Sequence, residues 1–366
     1  MSKHGRILVA MSGGIDSTVT AMMLHEQGYE VVGITMKTWD YANSGGSKKE
    51  TGCCSLDSIN DARKVAVEMG FHHFIVDIRE EFGDYVIDNF VDEYIAGRTP
   101  NPCVLCNTHI KWESLLKRAD ALDCEFIATG HYALIGEQEG RKFIQVAKDP
   151  RKDQSYVLWG LSQECLNRST FPLGPYLKEE VRQMAYDWGY EELSKKPESY
   201  EICFVPDNDY RGFLKRRVPE LEARVQGGRF VDQQGNDLGE HIGYPFFTIG
   251  QRRGLGKAFG EPMFVTEIQA DTNTVVLGRA DDLLRNGMYV YKLNSMKYDN
   301  IPQTDNIVTR VRYNSQGALS KLYPQENDQL KVVFDANVRG VAPGQSAVFY
   351  EGNDVIGGGI IHSSLK

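Results

Sequence analysis

The chain has 366 residues, 41% of them hydrophobic and 25% charged, with a formal net charge of -9 at pH 7. That length suits two or three domains with a large core, and the acidic total excludes a uniformly basic surface for nucleic acid. No apolar stretch approaches the roughly 18 residues of a membrane span, and the first strand begins too early to leave room for a signal peptide, so a cytoplasmic protein without a membrane partner is expected.

In chain order, Ile7-Leu8-Val9-Ala10-Met11 comes first and reads as a buried strand, because a short unbroken apolar run suits a sheet covered on both faces. Ser12-Gly13-Gly14-Ile15-Asp16-Ser17 follows and leads into a helix with Thr18, Val19, Met22, Met23 and Leu24 on its stripe. A Gly-Gly turn between strand and helix lets backbone N–H groups converge on an anion, aided by the positive end of the helix. No Gly-Lys-Ser/Thr follows, so this is not a Walker A loop.

Tyr29 to Met36 reads as the second strand, and a polar loop runs from Asn43 to Gly52. Ser55 has the character of an N-cap for a helix striped by Ile59, Ala62, Ala66 and Met69 and stopped by Gly70. His73 to Ile78 is a third strand, Glu81 to Ala96 a helix ended by Gly97, and Glu125 to Thr129 a fourth strand. Alternating βα units predict a doubly wound parallel sheet, with ligands at the carboxyl ends of its strands. Loop 12–17, Met36, Gly130 and His131 all follow strand ends, so this topology gathers them around one crevice.

Tyr132 to Ala147 has the pattern of a hairpin, and a mainly helical stretch including Leu177 to Trp188 ends near Cys203. Residues 209–271, rich in Gly, Arg and aromatics, read as a small mixed α/β central module. From 272 onward, strand-like runs at Thr274–Leu277, Ile307–Tyr313, Leu330–Phe334 and Ser346–Tyr350 predict a C-terminal β-barrel over 272–366. The expected fold class is therefore α/β: a doubly wound parallel-sheet domain over 1–208, the central module, and the barrel. Charge is unevenly spread. Residues 1–100 hold 9 Lys/Arg against 15 Asp/Glu, whereas 211–260 hold 9 against 5, a local basic surface suited to phosphate. There, Gly250-Gln-Arg252-Arg253-Gly-Leu-Gly256 places two arginines between glycines, a form that approaches an RNA backbone closely.

The seven cysteines are odd in number and lack framework spacing, as expected of accessible thiols in a reducing compartment. Thr99-Pro-Asn101-Pro102-Cys103-Val-Leu-Cys106-Asn107 forces an extended approach and then sets Cys106 at the mouth of a helix through Ile110, Leu115 and Leu116, where thiolate is favoured. Cys103-x-x-Cys106 has three readings. A closed zinc site lacks a second pair, and a redox pair would lie nearer the start of its own βαβ unit. The third reading joins Cys103 and Cys106 to one distant cysteine at the crevice, and Cys203 in Tyr200-Glu-Ile-Cys203-Phe204 is the choice. Cys124 and Cys165 suit core positions, and Cys53 and Cys54 have no assigned role.

The Ser-Gly-Gly-Ile-Asp-Ser loop after an N-terminal strand resembles the PP-loop of the ATP pyrophosphatase superfamily, which cuts ATP between its α and β phosphates. By itself the loop does not choose among NAD synthetase, GMP synthetase, tRNA-lysidine synthetase and the tRNA thiolases. Longer motifs do: Ala10–Ser17, Met36-Lys37, Gly97–Pro102, Cys106-Asn107, Ala128–Tyr132, Lys152–Tyr156, Ile202–Phe204, Thr248–Gly256 and Pro343–Tyr350. In that order they resemble the tRNA-specific 2-thiouridylase family nearly end to end. The resemblance implies an ATP-dependent tRNA-uridine sulfurtransferase acting on C2 of the wobble uridine in the tRNAs for Lys, Glu and Gln, with no DNA partner. It implies that Ala10, Met11, Ser12, Gly13, Gly14, Ile15, Asp16, Ser17, Met36 and Gly130 bind ATP, with Asp16 linked to Mg²⁺. It makes Cys203 the persulfide carrier and Cys106 its partner in releasing sulfur, with a Cys106–Cys203 disulfide as product.

Asn101, Pro102 and Cys103 correspond to the target-base pocket. His131, Lys152, Asp153, Gln154, Arg312, Tyr313 and Gln345 match tRNA-contacting positions, as His and Tyr suit stacking on an extruded base. The commoner family pattern has Asp where this chain has Cys103. With that substitution Cys103, Cys106 and Cys203 could instead hold a [4Fe–4S] cluster with one open iron, and the sulfur donor would be sulfide rather than a sulfurtransferase relay. Two other functions stay open: a different PP-loop ligase of the NAD or GMP synthetase kind, and a tRNA-binding protein without catalysis.

Overall fold

A computed structural model of the protein describes residues 3–39, 55–196, 202–205 and 207–366. The polar 43–52 loop, Cys53, Cys54 and Tyr200 lie outside the described residues. The chain divides into two compact units: 1–86 with 103–209 and 353–355, and 87–102 with 210–352 and 356–366.

The first unit is built on a five-stranded parallel sheet. Its strands are β1 (Arg6–Ala10), β2 (Glu30–Lys37), β3 (His72–Asp77), β4 (Phe126–Thr129) and, beyond a β5–β6 hairpin (Leu134–Gln138, Arg141–Gln145), β7 (Ser169–Thr170), in the order β3-β2-β1-β4-β7. The order reverses around β1, whose neighbours are β2 and β4, and such a switch point leaves a crevice at the strand ends.

Helix α1 (Ile15–Glu26) is enclosed on nearly all sides, and small polar residues, Ser17, Thr18 and Thr20, are buried along with its apolar ones. Ala21, Met22 and Leu24 pack with Ile7, Val9 and Val31, while Ile15, Val19 and Met23 pack with Tyr132, Leu173 and Val181. Each such fully buried aliphatic side chain contributes about 1.5–3 kcal/mol. Helix α2 (Leu56–Met69) has the ends its sequence predicts. Ser55 Oγ accepts from the Ser58 N–H at 3.2 Å, and Gly70 closes the helix at φ +76°.

Two helices depart from expectation. The run expected over 81–96 begins at Arg79 and passes through a wider π-type turn, Gly83–Ile87, before α3 (Asp88–Ile95). The second begins at Pro102, not Cys106: a turn over Pro102–Leu105 and a π-type turn over Cys106–Lys111 lead into α4 (Trp112–Ala121). Proline's fixed φ and missing N–H suit a first helical position. Helix α5 (Lys178–Asp187) completes the part of the first unit that matters for the site.

In the second unit, β8 (Gly228–Val231), β9 (Asp237–His241), β10 (Phe264–Gln269) and β11 (Thr274–Gly278) form a sheet in the order β10-β11-β8-β9. Strand β11 pairs antiparallel with β10 and parallel with β8, so the 274–277 run belongs to this sheet and not to the barrel. The barrel comprises β12 (Leu284–Ser295), β13 (Thr304–Arg310), β14 (Ala318–Pro324), β15 (Leu330–Arg339), β16 (Ser346–Glu351) and β17 (Asp354–Leu365). It closes through β12–β17 pairing around Met288, Val290, Val332, Phe349 and Ile361. Segment 87–102, expected within the N-terminal domain, belongs to this unit because its side chains bury there. Phe90 meets Phe213 edge-on at 5.9 Å, Tyr94 stacks on Tyr210 at 4.8 Å, and Asp88 pairs with Arg217 at 3.0 Å.

Candidate active site

The loop after β1 is held open by its own hydroxyls. Ser17 Oγ accepts from the Ser12 N–H at 3.0 Å and donates to the Gly14 carbonyl at 3.1 Å, while Thr35 Oγ1 donates to the Met11 carbonyl at 2.7 Å. Gly13 has φ +68°, and a Cβ there would lie 1.9 Å from the Ser58 carbonyl oxygen. A Cβ on Gly130, just beyond β4, would lie 2.8 Å from the Ser17 nitrogen, so this residue must be glycine to pack on the first turn of α1. Ala10, Ser12, Gly14 and Ile15 complete the loop, and Met36 stands half-buried near the end of β2. The residues expected to bind ATP thus occupy the switch point between β1 and β4.

Two lysines reach this loop from far along the chain. Lys178, at the start of α5 and only 4% exposed, donates to Asp16 Oδ1 at 2.6 Å and Oδ2 at 2.8 Å, and Tyr132 Oη donates to Oδ1 at 2.8 Å. Lys196 donates to the Gly13 carbonyl at 3.1 Å and to Asp61 Oδ2 at 2.7 Å. Arg182 on α5 braces the second lysine by donating to the Ser194 carbonyl and, at 3.5 Å, to the Lys196 carbonyl. Sequence reading expected Asp16 to face Mg²⁺. In the structure its two oxygens are engaged by Lys178 and Tyr132. No sequence signal marks Lys178, which stands 162 positions from its carboxylate.

Around the start of α5, Asp149 is fully buried. Burial pushes its carboxyl up, but the Lys178 and Arg151 backbone N–H groups and the Arg151 guanidinium outweigh this and hold it below the usual carboxylate range. Of the expected tRNA contacts here, Asp153 is buried and accepts from the Ala147 and Ser155 N–H groups and from Ser155 Oγ, so it shapes the loop. Gln154 Oε1 accepts from the Tyr132 N–H at 2.9 Å, and Lys152 is half-buried beside them.

His131 is wedged against Trp112 (5.5 Å) and edge-on to Phe171 (6.2 Å), with Nδ1 2.7 Å from Thr129 Oγ1. Burial, helped by Lys111, lowers its pKa to about 3. A neutral imidazole is therefore built into the fold. The stability it contributes is complete above the unfolded value near 6.5 and falls as pH drops from there toward 3. We expect the His131 ring resonances to show no titration down to about pH 5, where an ordinary imidazole is protonated; a midpoint near 6.5 would mean the ring is not packed in this way.

The cysteines sit in contrasting places. Cys106 is buried one turn inside its helix, corrected from the helix mouth, and begins the π-type turn; such turns recur at functional sites. Cys103, in the first turn, is exposed to solvent, yet the protein around it desolvates the thiolate and pushes its pKa up, with Lys111 pulling the other way. Cys203 is half-buried in a short turn where the Val205 N–H donates to the Ile202 carbonyl at 2.8 Å. Its neighbour Phe204 is fully buried, edge-on to Phe82 (5.8 Å) and tilted against Trp39 (6.3 Å), which anchors the turn. Cys124 and Cys165 are buried as expected. Among the described residues no three Cys, His, Asp or Glu side chains lie together as metal ligands. The expected Cys103–Cys106–Cys203 set is thus not gathered as the ligands of a single metal ion among the described residues.

In the second unit, Asn101 is half-buried and Pro102 buried. Gln345 Nε2 donates to the Thr99 carbonyl at 3.1 Å and the Pro100 carbonyl at 2.7 Å, and so braces the loop leading to both. Arg312 and Tyr313 are exposed in a turn after β13, not on the strand that the 307–313 run predicted. Arg252 and Arg253 are exposed, flanked by Gly250 at φ +86° and Gly254 at φ +69°, and neither has an acidic partner among the described residues.

No helix among the described residues is long and apolar enough to cross a membrane. Residues 5–207 match the family described as "tRNA methyl transferase HUP domain", 211–279 the "tRNA methyl transferase PRC-barrel domain", and 285–361 the "Aminomethyltransferase beta-barrel domain". The chain is 64% identical over 365 residues to the tRNA-specific 2-thiouridylase MnmA of Amoebophilus asiaticus, covering 100% of this chain and 97% of that one. It is 64% identical over 367 residues to the protein of that name from Cytophaga hutchinsonii, covering all of both. The Salinibacter ruber protein of that name is 56% identical over 365 residues, covering 99% of this chain and 95% of its own.

Proposed function

The chain belongs to the tRNA-specific 2-thiouridylase family, and from that premise we propose that it uses ATP to replace the C2 oxygen of the tRNA wobble uridine with sulfur. The tRNAs for Lys, Glu and Gln are the acceptors. The observation that carries this reading is the strand–loop–helix turn at the β1/β4 switch point, in the same unit as Cys106 and Cys203.

A carbonyl oxygen leaves poorly until it is activated. Uridine O2 attacks the α-phosphorus, the N3 proton passes to water, and the α–β bridge breaks with its electron pair leaving on pyrophosphate. Mg²⁺ enters with ATP as the metal–nucleotide substrate. The terminal sulfur of a persulfide on Cys203 then attacks C2 and expels AMP. Cys106 thiolate attacks the Cys203 sulfur, which frees the thiocarbonyl and leaves a Cys106–Cys203 disulfide for a reducing thiol to reopen. A sulfurtransferase relay reloads Cys203. Asn101, Pro102 and Cys103 form the target-base pocket, which Gln345 braces through the 99–100 loop. His131 offers a neutral ring for stacking, Lys152 and Gln154 contact tRNA from the loop that Asp153 shapes, and Arg312 and Tyr313 contact it from the turn after β13.

The deciding experiment supplies purified protein with ATP, tRNA and a persulfide donor, and reads AMP, pyrophosphate and 2-thiouridine at the wobble position. Pyrophosphate release stimulated by deamido-NAD or xanthosine monophosphate, with no thiolated tRNA, would overturn the reading. The central module and the barrel are proposed as the tRNA-holding part. Replacing Arg252 and Arg253 with alanine is expected to weaken tRNA binding and reduce its salt slope by about one unit per lost phosphate contact. A filter-binding series over salt concentration measures this, and an unchanged slope would remove both residues from the interface.

A further inference from the structure

Lys111 lies outside every motif that carries the proposed function, yet it closes the π-type turn that Cys106 opens. An α-helix would set a residue five positions after Cys106 about 140° around the axis, on another face. The wider turn bonds residue i+5 back to residue i, and so brings Lys111 round toward the face of Cys106. Lys111 is half-buried. The next residue, Trp112, is fully buried against the His131 ring at 5.5 Å and is fixed by donating from Nε1 to Ser169 Oγ at 2.7 Å. The end of the turn is therefore pinned beside the imidazole. The Lys111 charge opposes protonation of His131 and favours the thiolate of Cys103, two residues on separate elements. One cation is thus felt at both, from the end of the turn that begins with Cys106.

The reaction has need of such a charge. In the adenylated uridine N3 has lost its proton and is doubly bonded to C2. As the persulfide sulfur forms its bond to C2, the C2–N3 π pair moves onto N3 and, by conjugation, onto O4. It returns when the C2–O bond breaks and AMP leaves with that bond's pair. A neutral imidazole does little for this anion, and a buried negative charge without a partner is costly. We propose that Lys111 is a catalytic residue of the sulfur-transfer step, its ammonium holding the charge that gathers on N3 and O4 of the target uridine. No proton leaves Nζ. The inference rests on the reading of the chain as a wobble-uridine thiolase.

Single-turnover reactions of the full chain with ATP, a persulfide donor and tRNA carrying either uridine or 5-fluorouridine at the wobble position test it. Pyrophosphate and thiolated product are read from the same sample. Lys111→Met, which keeps the apolar stem, is expected to slow thiolation by about 10²- to 10³-fold, the scale of removing one donor from a developing oxyanion, with pyrophosphate release near the parent's. Lys111→Arg should recover part of the loss. Fluorine draws charge from N3 and O4, so 5-fluorouridine should speed Lys111→Met more than the parent and narrow the gap between them. A merely displaced Cys106 would gain nothing from the fluorine. Parent-like thiolation in Lys111→Met, an equal fall in pyrophosphate release, or a gap that 5-fluorouridine leaves unchanged would make Lys111 only a structural part of the turn. Failure of the unsubstituted protein to thiolate tRNA would instead remove the functional reading itself.

Discussion

Replacing Cys203 with serine is expected to abolish thiolation, by on the order of 10³-fold or more, while tRNA-dependent pyrophosphate release continues, since only the covalent sulfur step needs a nucleophilic thiol. Serine keeps the size of the side chain, and the turn that carries it is fixed by buried Phe204, so the variant should fold as the parent does. Cys106→Ser should be as inactive in turnover, but by a different route: the sulfur becomes attached at C2 and is not released. Trapped Cys203–tRNA adduct in Cys106→Ser, absent from Cys203→Ser, separates the two roles. Cys103→Asp, which restores the commoner family residue, is expected to retain activity with a persulfide donor, because Cys103 is exposed and no three-ligand group is assembled around it. Loss of activity in Cys103→Asp together with loss of protein-bound iron would overturn the persulfide route. Full pyrophosphate release by all three variants is the control that the activation site is intact.

What the sequence made legible follows from how local the determinants are. The β1–loop–α1 unit was readable because an apolar run, two glycines and an apolar helix are adjacent in the chain, and α2 because its cap Ser55 and stop Gly70 are fixed by neighbouring residues. The Cys106 helix starts earlier than its prolines suggest, because Pro102 serves as a first helical residue and does not extend the chain. Strand β11 reads like any other short apolar strand, and only its pairing with β10 and β8 assigns it to the small sheet. Segment 87–102 leaves the first unit because Phe90 and Tyr94 find aromatic partners more than a hundred residues onward, a choice no local pattern records. The Asp16–Lys178 pair is the clearest case of this kind. The loop residues were legible, but their cation was not, because its position is set by the packing of α5 against α1 through Val181 and Val19.

Gly13→Ala is expected to be the most damaging single substitution in the loop, and Gly14→Ala a mild one, although the two residues are adjacent and chemically identical. At Gly13 the backbone has φ +68°, a conformation that costs a non-glycine residue about 1–2 kcal/mol, and the added Cβ would sit 1.9 Å from the Ser58 carbonyl oxygen. Backbone cannot yield as a side chain can. The loop must move away from the start of α2, and with it go the Lys196 contact to the Gly13 carbonyl and the alignment of the loop amides. A destabilisation of about 2–4 kcal/mol is expected, at the upper end for point substitutions, with ATP-analogue binding lost. At Gly14 the φ is -88°, and a Cβ would meet only Ser12 Oγ at 3.4 Å, so alanine fits with little adjustment. Thermal denaturation and calorimetric titration with α,β-methylene-ATP on the two variants measure the contrast. Equal tolerance at both positions would mean that the loop does not rest against Ser58, and equal loss would mean that any side chain in the loop blocks the anion site.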